Sequence, residues 1–289
     1  MAATHLDAET TDTPAPTAGG QESLMLKETF GAAKPIIAMV HFPPLPGSPK
    51  YDAKRGVQWL VDSCAADIEN LQAGGVDALM FGNEGDRPYL TKSTPETLAA
   101  MAAAIATLKP MIDRPFGVDY LWDPIATVAL GVATGAAFGR EVMTGVYDSD
   151  MGLWQPDSAG ALRLRHNLAR DDFKLLYNIT AEFASPVGSR SIAQRARSAV
   201  FSALADVVVV SGPMTGEGVA ASDLHAAKSA VKDTPVFANT GVTLASVEEI
   251  LSIADGCVVG THLKHDGITW NPVDRDRVKR FMDRVGKLR

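Results

Sequence analysis

Residues 235–264 read PVFANTGVTLASVEEILSIADGCVVGTHLK, and this stretch decides the fold. The apolar run PVFAN ends at Thr240-Gly241 and feeds a helical pattern; the second run, GCVVG, ends at Gly260-Thr261 and feeds another. Strand, glycine turn and helix, repeated, make the βα unit of a parallel sheet. Backbone N–H groups at two neighbouring strand ends, with helix N-termini behind them, form a pocket for an anion, because the orphan amides and the helix dipole point the same way. In a (β/α)8 barrel the loops after the seventh and eighth strands are the usual home of a substrate phosphate.

Six more such units precede this one. Lys34-Pro35 introduces IIAMVH, a strand that ends on His41 and opens into the loop FPPLPGSPKYD, where four prolines fix φ and keep the chain extended. Apolar residues at helical spacing then run from Gly56 to Gly74-Gly75. DALMFG, PFGVDYL, FGREVM, FKLLYNI and DVVVVSG read as the next five strands, with Thr94-Pro95 and Asp123-Pro124 opening helices as N-cap and N1. TGVYDSDMGLWQPDS reads as the longest loop, and Ser246-x-x-Glu249 as a capping box before the helix that joins the last two strands. A final amphipathic helix spans about 273–285. The count predicts a single (β/α)8 TIM barrel over residues 31–289, with an open doubly wound sheet as the alternative. Residues 1–30, rich in Thr, Ala, Pro and Gly, are expected to be a disordered tail.

Composition narrows the function. With 289 residues and 46% hydrophobic content the chain can bury one large core. A net charge of −7 argues against general binding to nucleic acid or an anionic membrane, since both need a basic surface. No apolar run approaches the roughly 18 residues of a membrane span. Cys64 and Cys257 lie in apolar patterns and read as buried, reduced thiols of a cytoplasmic protein. A homo-oligomer is expected on general grounds.

Polar residues at the C-terminal ends of barrel strands carry the chemistry, because branched apolar side chains fill the interior. That rim offers His41, Asn83, Glu84, Asp86, Asp119, Arg140, Glu141, Asn178, Thr180, Ser211, Asn239, His262 and Lys264. Gly212 with Thr215-Gly216, Thr240-Gly241 and Gly260-Thr261 follow three consecutive strands; their glycines let backbone approach a substrate phosphate and their hydroxyls can donate to it. Glu84, Asp119, Glu141, Arg140 and His41 form the candidate catalytic set, carboxylates acting as general acid and base beside a carbonyl while Arg140 neutralises developing charge. Asn83, Asp86, Asn178, Asn239, His262 and Lys264 are expected to line the substrate. Glu84, Asp86, Asp119 and Glu141 suit Mg²⁺ or Mn²⁺ equally well, with His41 or His262, or salt bridges to Arg87, Arg140 or a helix cap. No Cys/His cluster has zinc spacing, Ser211 lacks the nucleophile elbow, and Lys34 and Lys174 fall at the barrel bottom, away from where a Schiff base would form. Trp122 and Trp154, on rim loops, suit stacking on a sugar or closing a lid.

HFPPLPGSP after the first strand, AGGVDALMFGNEGDRP around the second, SGPMTG after the sixth and VVGTHLKHDG around the eighth resemble the BtpA family. The resemblance runs from about Lys34 to the C-terminus, and the proline loop is its most specific motif. It implies a ribulose-phosphate-binding type of TIM barrel; cyanobacterial members are linked to photosystem I biogenesis and bacterial members to sugar uptake and metabolism. VDYLWDP (118–124) and GREVMTGVYDSDMGLW (139–154) depart from the family's more familiar branch at the rim, which implies a different ligand on the same phosphate grip. The leading expectation is a cytoplasmic enzyme that isomerises, epimerises or cleaves a phosphorylated sugar or small phosphate ester. One alternative is a non-catalytic assembly or regulatory factor. The other is a glycoside or nucleoside hydrolase with two rim carboxylates roughly 5 to 10 Å apart.

Overall fold

Each short apolar run becomes a strand because it can be buried on both faces, as parallel sheets under helices require. The computed structural model describes residues 18–289. α1 (Ala18–Phe30) leads into β1 (Ile36–His41), α2 (Gly56–Gly74), β2 (Ala78–Gly82), α3 (Pro95–Leu108), β3 (Phe116–Asp119), α4 (Pro124–Thr134) and β4 (Phe138–Glu141). β5 (Tyr147–Ser149) and β6 (Gly152–Trp154) precede α5 (Ser158–Asn167), β7 (Lys174–Asn178), β8 (Ala184–Pro186), α6 (Ile192–Phe201) and β9 (Val207–Ser211). α7 (Ala221–Ala230), β10 (Val236–Asn239), α8 (Val247–Ile253), β11 (Gly256–Val259) and α9 (Arg275–Gly286) follow.

Eight parallel strands close in the order β1-β11-β10-β9-β7-β4-β3-β2. Closure is made by β1, which pairs Ile37 with Ala78 on one side and Ile36 with Cys257 on the other. The fold is therefore the expected TIM barrel, and the open sheet is excluded. Strand parity divides the core. Ile36, Ala38 and Val40 face the helices, while Ile37 and Met39 fill the barrel with Met80, Leu176, Val209 and Phe237. Asp123 caps α4 as read, its carboxylate accepting from the amides of Ile125 and Ala126. Both cysteines are free and buried. Among the described residues no helix is long and apolar enough to cross a membrane.

Three local readings are corrected. The tail expected to be disordered to residue 30 is helical over Ala18–Phe30, while residues 1–17 lie outside the described residues. Leu26 and Phe30, one turn apart, plug the bottom of the barrel, with the Phe30 ring tilted against those of Phe138 at 4.8 Å and Phe237 at 5.5 Å. The long loop after β4 holds the hairpin β5–β6, which β8 extends into a three-stranded antiparallel sheet beside the barrel mouth. Ser246 makes no capping bond to α8; its hydroxyl accepts from Thr243 N in the preceding turn, a local bond that competes with the cap.

The plug gives a first prediction. Phe30 is fully buried, so Phe30→Ala leaves a cavity under the barrel and should destabilise by about 3–5 kcal/mol, read as a lower urea midpoint. An unchanged midpoint would show that α1 adds nothing to the fold.

Candidate active site

The parity that puts Ile37 and Met39 inside the barrel aims His41 at its mouth, where it meets the residues at the ends of the other strands. Together they wall a cavity with about 70 Å³ open to the centre of a water molecule. His41, Glu84, Arg140 and Glu141 stand in its wall, as do Asn178 and Asn239; Thr215, Gly216, Thr240, Gly241, Gly260 and Thr261 form the side made by the loops after β9, β10 and β11.

Glu84 is two residues past β2. It folds back over the strand because Gly82 leaves room: a Cβ there would stand 2.5 Å from Glu84 Oε2. Glu84 Oε1 is 3.5 Å from His41 Nε2, while Glu84 Oε2 and His41 Nδ1 are buried with no hydrogen-bond partner. Burial, and then the neighbouring Asp119, push the Glu84 carboxyl up to about 8. Burial lowers His41 well below its ordinary value, and the charges of Lys264 and Arg140 lower it further. Glu84 thus keeps its proton at neutral pH beside a neutral imidazole.

Arg140 holds the floor. Its Nε donates to Asp119 Oδ2 at 2.9 Å, Nη2 donates to the same oxygen, and Nη1 donates to Asn239 Oδ1 at 2.7 Å. Burial opposes the Arg140 charge, but the carboxylates of Asp119, Glu182 and Glu84 overcome it, and the guanidinium is held above its ordinary range. Glu141 accepts from Val142 N at 2.6 Å and Trp122 N at 2.7 Å. Burial, then Asp119, hold Glu141 well above the usual carboxylate range. Asp119 itself is raised by burial against the pull of Arg140, and its Oδ1 is without a partner. It does not reach the cavity wall and acts through Arg140.

Sequence reasoning missed Glu182, four residues beyond β7. Its Oε2 accepts from Thr215 Oγ1 at 3.0 Å and its Oε1 from Asn239 Nδ2 at 3.2 Å, so it ties the loop after β9 to the site. Burial raises it, and Arg140 opposes the rise. A search for carboxylates shortly after every strand end, as for Glu84, would have found it. An aromatic wall closes one side. Trp122 packs edge-on 4.7 Å from Trp154 and lies 6.4 Å from Tyr89, and the Trp154 indole N–H donates to Trp122 O. Trp122, Phe183 and Thr240 have φ of 74°, 54° and 60°, a left-handed backbone that costs roughly 1–3 kcal/mol each, and all three line the cavity.

Five other expected residues stand outside the wall. Asn83 Oδ1 accepts from Leu121 N, which braces the loop after β3, and Asp86 faces Asn83, Ser48 and the backbone of Leu45 under the proline loop. The Gly212 amide donates to Thr240 Oγ1. His262 Nε2 accepts from Leu244 N on the outer side of the barrel, between Arg277 and Phe281. Lys264 turns outward because a one-turn 3-10 helix, Thr261–Leu263, reverses the chain; it is buried against Asp67 of α2 at 2.5 Å. The expectation that Asn83, Asp86, His262 and Lys264 line the substrate is corrected accordingly. Among the described residues no group of three or more His, Cys, Asp or Glu could hold a metal ion. Glu141 and Glu182 are instead engaged by amide or hydroxyl donors, and Asp119 by Arg140.

The chain matches the model of the BtpA family over residues 32–287. It is 47% identical over 264 residues to the putative sgc region protein SgcQ of Escherichia coli K12, covering 91% of this chain and 98% of that protein. It is 29% identical over 265 residues to the photosystem I biogenesis protein BtpA of a Synechocystis strain, covering 91% of each. Among solved structures, phosphoribosyl anthranilate isomerase from Thermus thermophilus superposes with a TM-score of 0.54 at 11% identity, over 88% of this chain and all of that one, a likeness of fold.

Proposed function

We propose a function from one premise: the chain belongs to the BtpA family. It is an enzyme that exchanges protons beside the carbonyl of a phosphorylated sugar or related small phosphate ester, in an isomerisation, epimerisation or carbon–carbon cleavage. The observation that carries this reading is Glu84, which stands in the wall of a cavity bounded on another side by three glycine-bearing loops, with its carboxyl raised to about 8 and one buried oxygen unpaired. A group that titrates near the working pH suits both halves of a proton transfer. Neutral His41 offers a second proton site within reach of Glu84. Arg140, fixed by Asp119 and Asn239, would stabilise an enolate as its charge develops.

The phosphate end is assigned to the loops after β9, β10 and β11. Among the described residues the amides of Gly216 and Gly241 donate to no other backbone group, and the Thr261 amide opens its 3-10 turn. Trp122 and the other aromatics suit the apolar face of a sugar.

The test needs no knowledge of the substrate. A panel of sugar phosphates is incubated with the protein in D2O, and exchange of the hydrogen next to the carbonyl is followed by NMR. Exchange in at least one compound is expected; none across the panel would sink the reading. Gly241 sits at φ 58°, and a Cβ there would lie 2.2 Å from Gly218 N, so Gly241→Val must displace the loop. The half-saturating concentration of the active compound should rise roughly 10–100-fold in that variant.

A further inference from the structure

A second hollow adjoins the first. It has about 460 Å³ open to the centre of a water molecule, and lies between the proline loop, the N-terminal half of α2 and the segment 264–272. His41 stands in the wall of both. Here the chemistry is different. The Arg55 guanidinium lies 3.9 Å from the centre of the Trp59 ring, and that of Arg87 lies 3.7 Å from the centre of the Trp270 ring. Lys264 and Asp67 neutralise each other in the wall, and Asp67 Oδ1 also accepts from Val273 N. Among the described residues neither Arg55 nor Arg87 has a carboxylate within ion-pair distance, and Arg87 Nε is buried without a hydrogen-bond partner.

An acidic chain of net charge −7 therefore turns two uncompensated guanidinium groups toward one concavity, each laid against an indole. A concave surface of one sign concentrates counter-charged ligands. Guanidinium forks match the oxygens of phosphate, and indole faces take flat rings. Trp270 is 50% exposed, open to an arriving ring.

We propose that this second cavity binds a small phosphate ester that carries a flat ring, the nucleotide class, with Arg87 and Arg55 on the phosphate and Trp270 and Trp59 on the ring. The site is independent of the acid–base reaction proposed above and touches it only at His41.

Isothermal titration of the full chain with adenosine monophosphate, and separately with inorganic phosphate, tests it, with tryptophan fluorescence as a second readout. Adenosine monophosphate should bind and change the fluorescence, and inorganic phosphate should bind more weakly. Arg87→Gln and Trp270→Ala should each weaken the nucleotide roughly tenfold or more, and Arg87→Lys, which keeps charge but loses the fork and the stack, should fall between. Glu84→Gln should bind as the parent does. No binding of adenosine monophosphate overturns the proposal. Binding lost in Glu84→Gln but kept in Arg87→Gln also overturns it, by moving the ligand to the barrel mouth. Equal affinity for the two probes removes the ring from the ligand class.

Discussion

Glu84→Gln should lose turnover of the sugar phosphate found active by proton exchange, by roughly 10²–10⁴-fold as expected for removal of a general acid–base group, and should at the same time be more stable than the parent at alkaline pH. The second effect follows from the first group's titration. Glu84 takes up a proton more readily folded, near pH 8, than unfolded, near the ordinary carboxylate value of about 4.5. A raised carboxyl costs nothing below the unfolded value; the cost grows as pH rises through the window from about 4.5 to 8 and is complete above it, on the order of 5 kcal/mol at 1.36 kcal/mol per unit. Glutamine has no charge to lose, so the variant should lack this loss across that window. Urea midpoints at pH 5, 7 and 9 read the stability, and the initial rate of deuterium exchange reads the activity. A variant that keeps both activity and the parent's pH dependence would remove Glu84 from the mechanism.

Arg140→Met should be the most destabilising single change at the mouth, by roughly 3–5 kcal/mol at neutral pH, because it strands Asp119 without its ion-pair partner in a site already crowded by Glu84, Glu141 and Glu182. Asp119 would then take up a proton, so the loss should shrink toward pH 5. Adding Asp119→Asn should restore part of the stability, since the buried charge then goes with its partner. Equal midpoints for Arg140→Met and its parent would mean that the pair is solvated and that Arg140 does not hold the floor of the site.

The architecture was legible because its signals are local. Apolar runs of strand length, the prolines at N1 and Asp123 as a cap act within a few residues, and the stretch 235–264 contains β10, α8 and β11. His41 and Arg140 were legible for a related reason, since strand parity aims both at the mouth, while Glu84 and Glu141 were legible only as polar residues at or just past a strand end. What was not legible depends on partners far along the chain. Lys264 carries no sign in sequence that a single 3-10 turn will bring it against Asp67. Glu182 lies in AEFASPVG, where nothing marks its acceptance from Thr215 and Asn239. Ala18–Phe30 reads as tail because only the open bottom of the barrel gives Leu26 and Phe30 a place to bury. Ser246 had the right spacing for a cap, yet bonding within its own turn prevailed.

The closing seam between β1 and β11 bears on how the chain is made. Ile36 finds Cys257 only after every other strand of the barrel has been made, so during synthesis β1 can pair with β2 while its other edge, an unpaired row of N–H and C=O groups, waits for β11. Long-range parallel pairing of this kind is slow, since loop entropy must be overcome before the contact forms. A nascent chain halted before β11 would therefore present both an open sheet edge and an apolar barrel lining, the kind of surface that chaperones hold, until β11 is made and covers both.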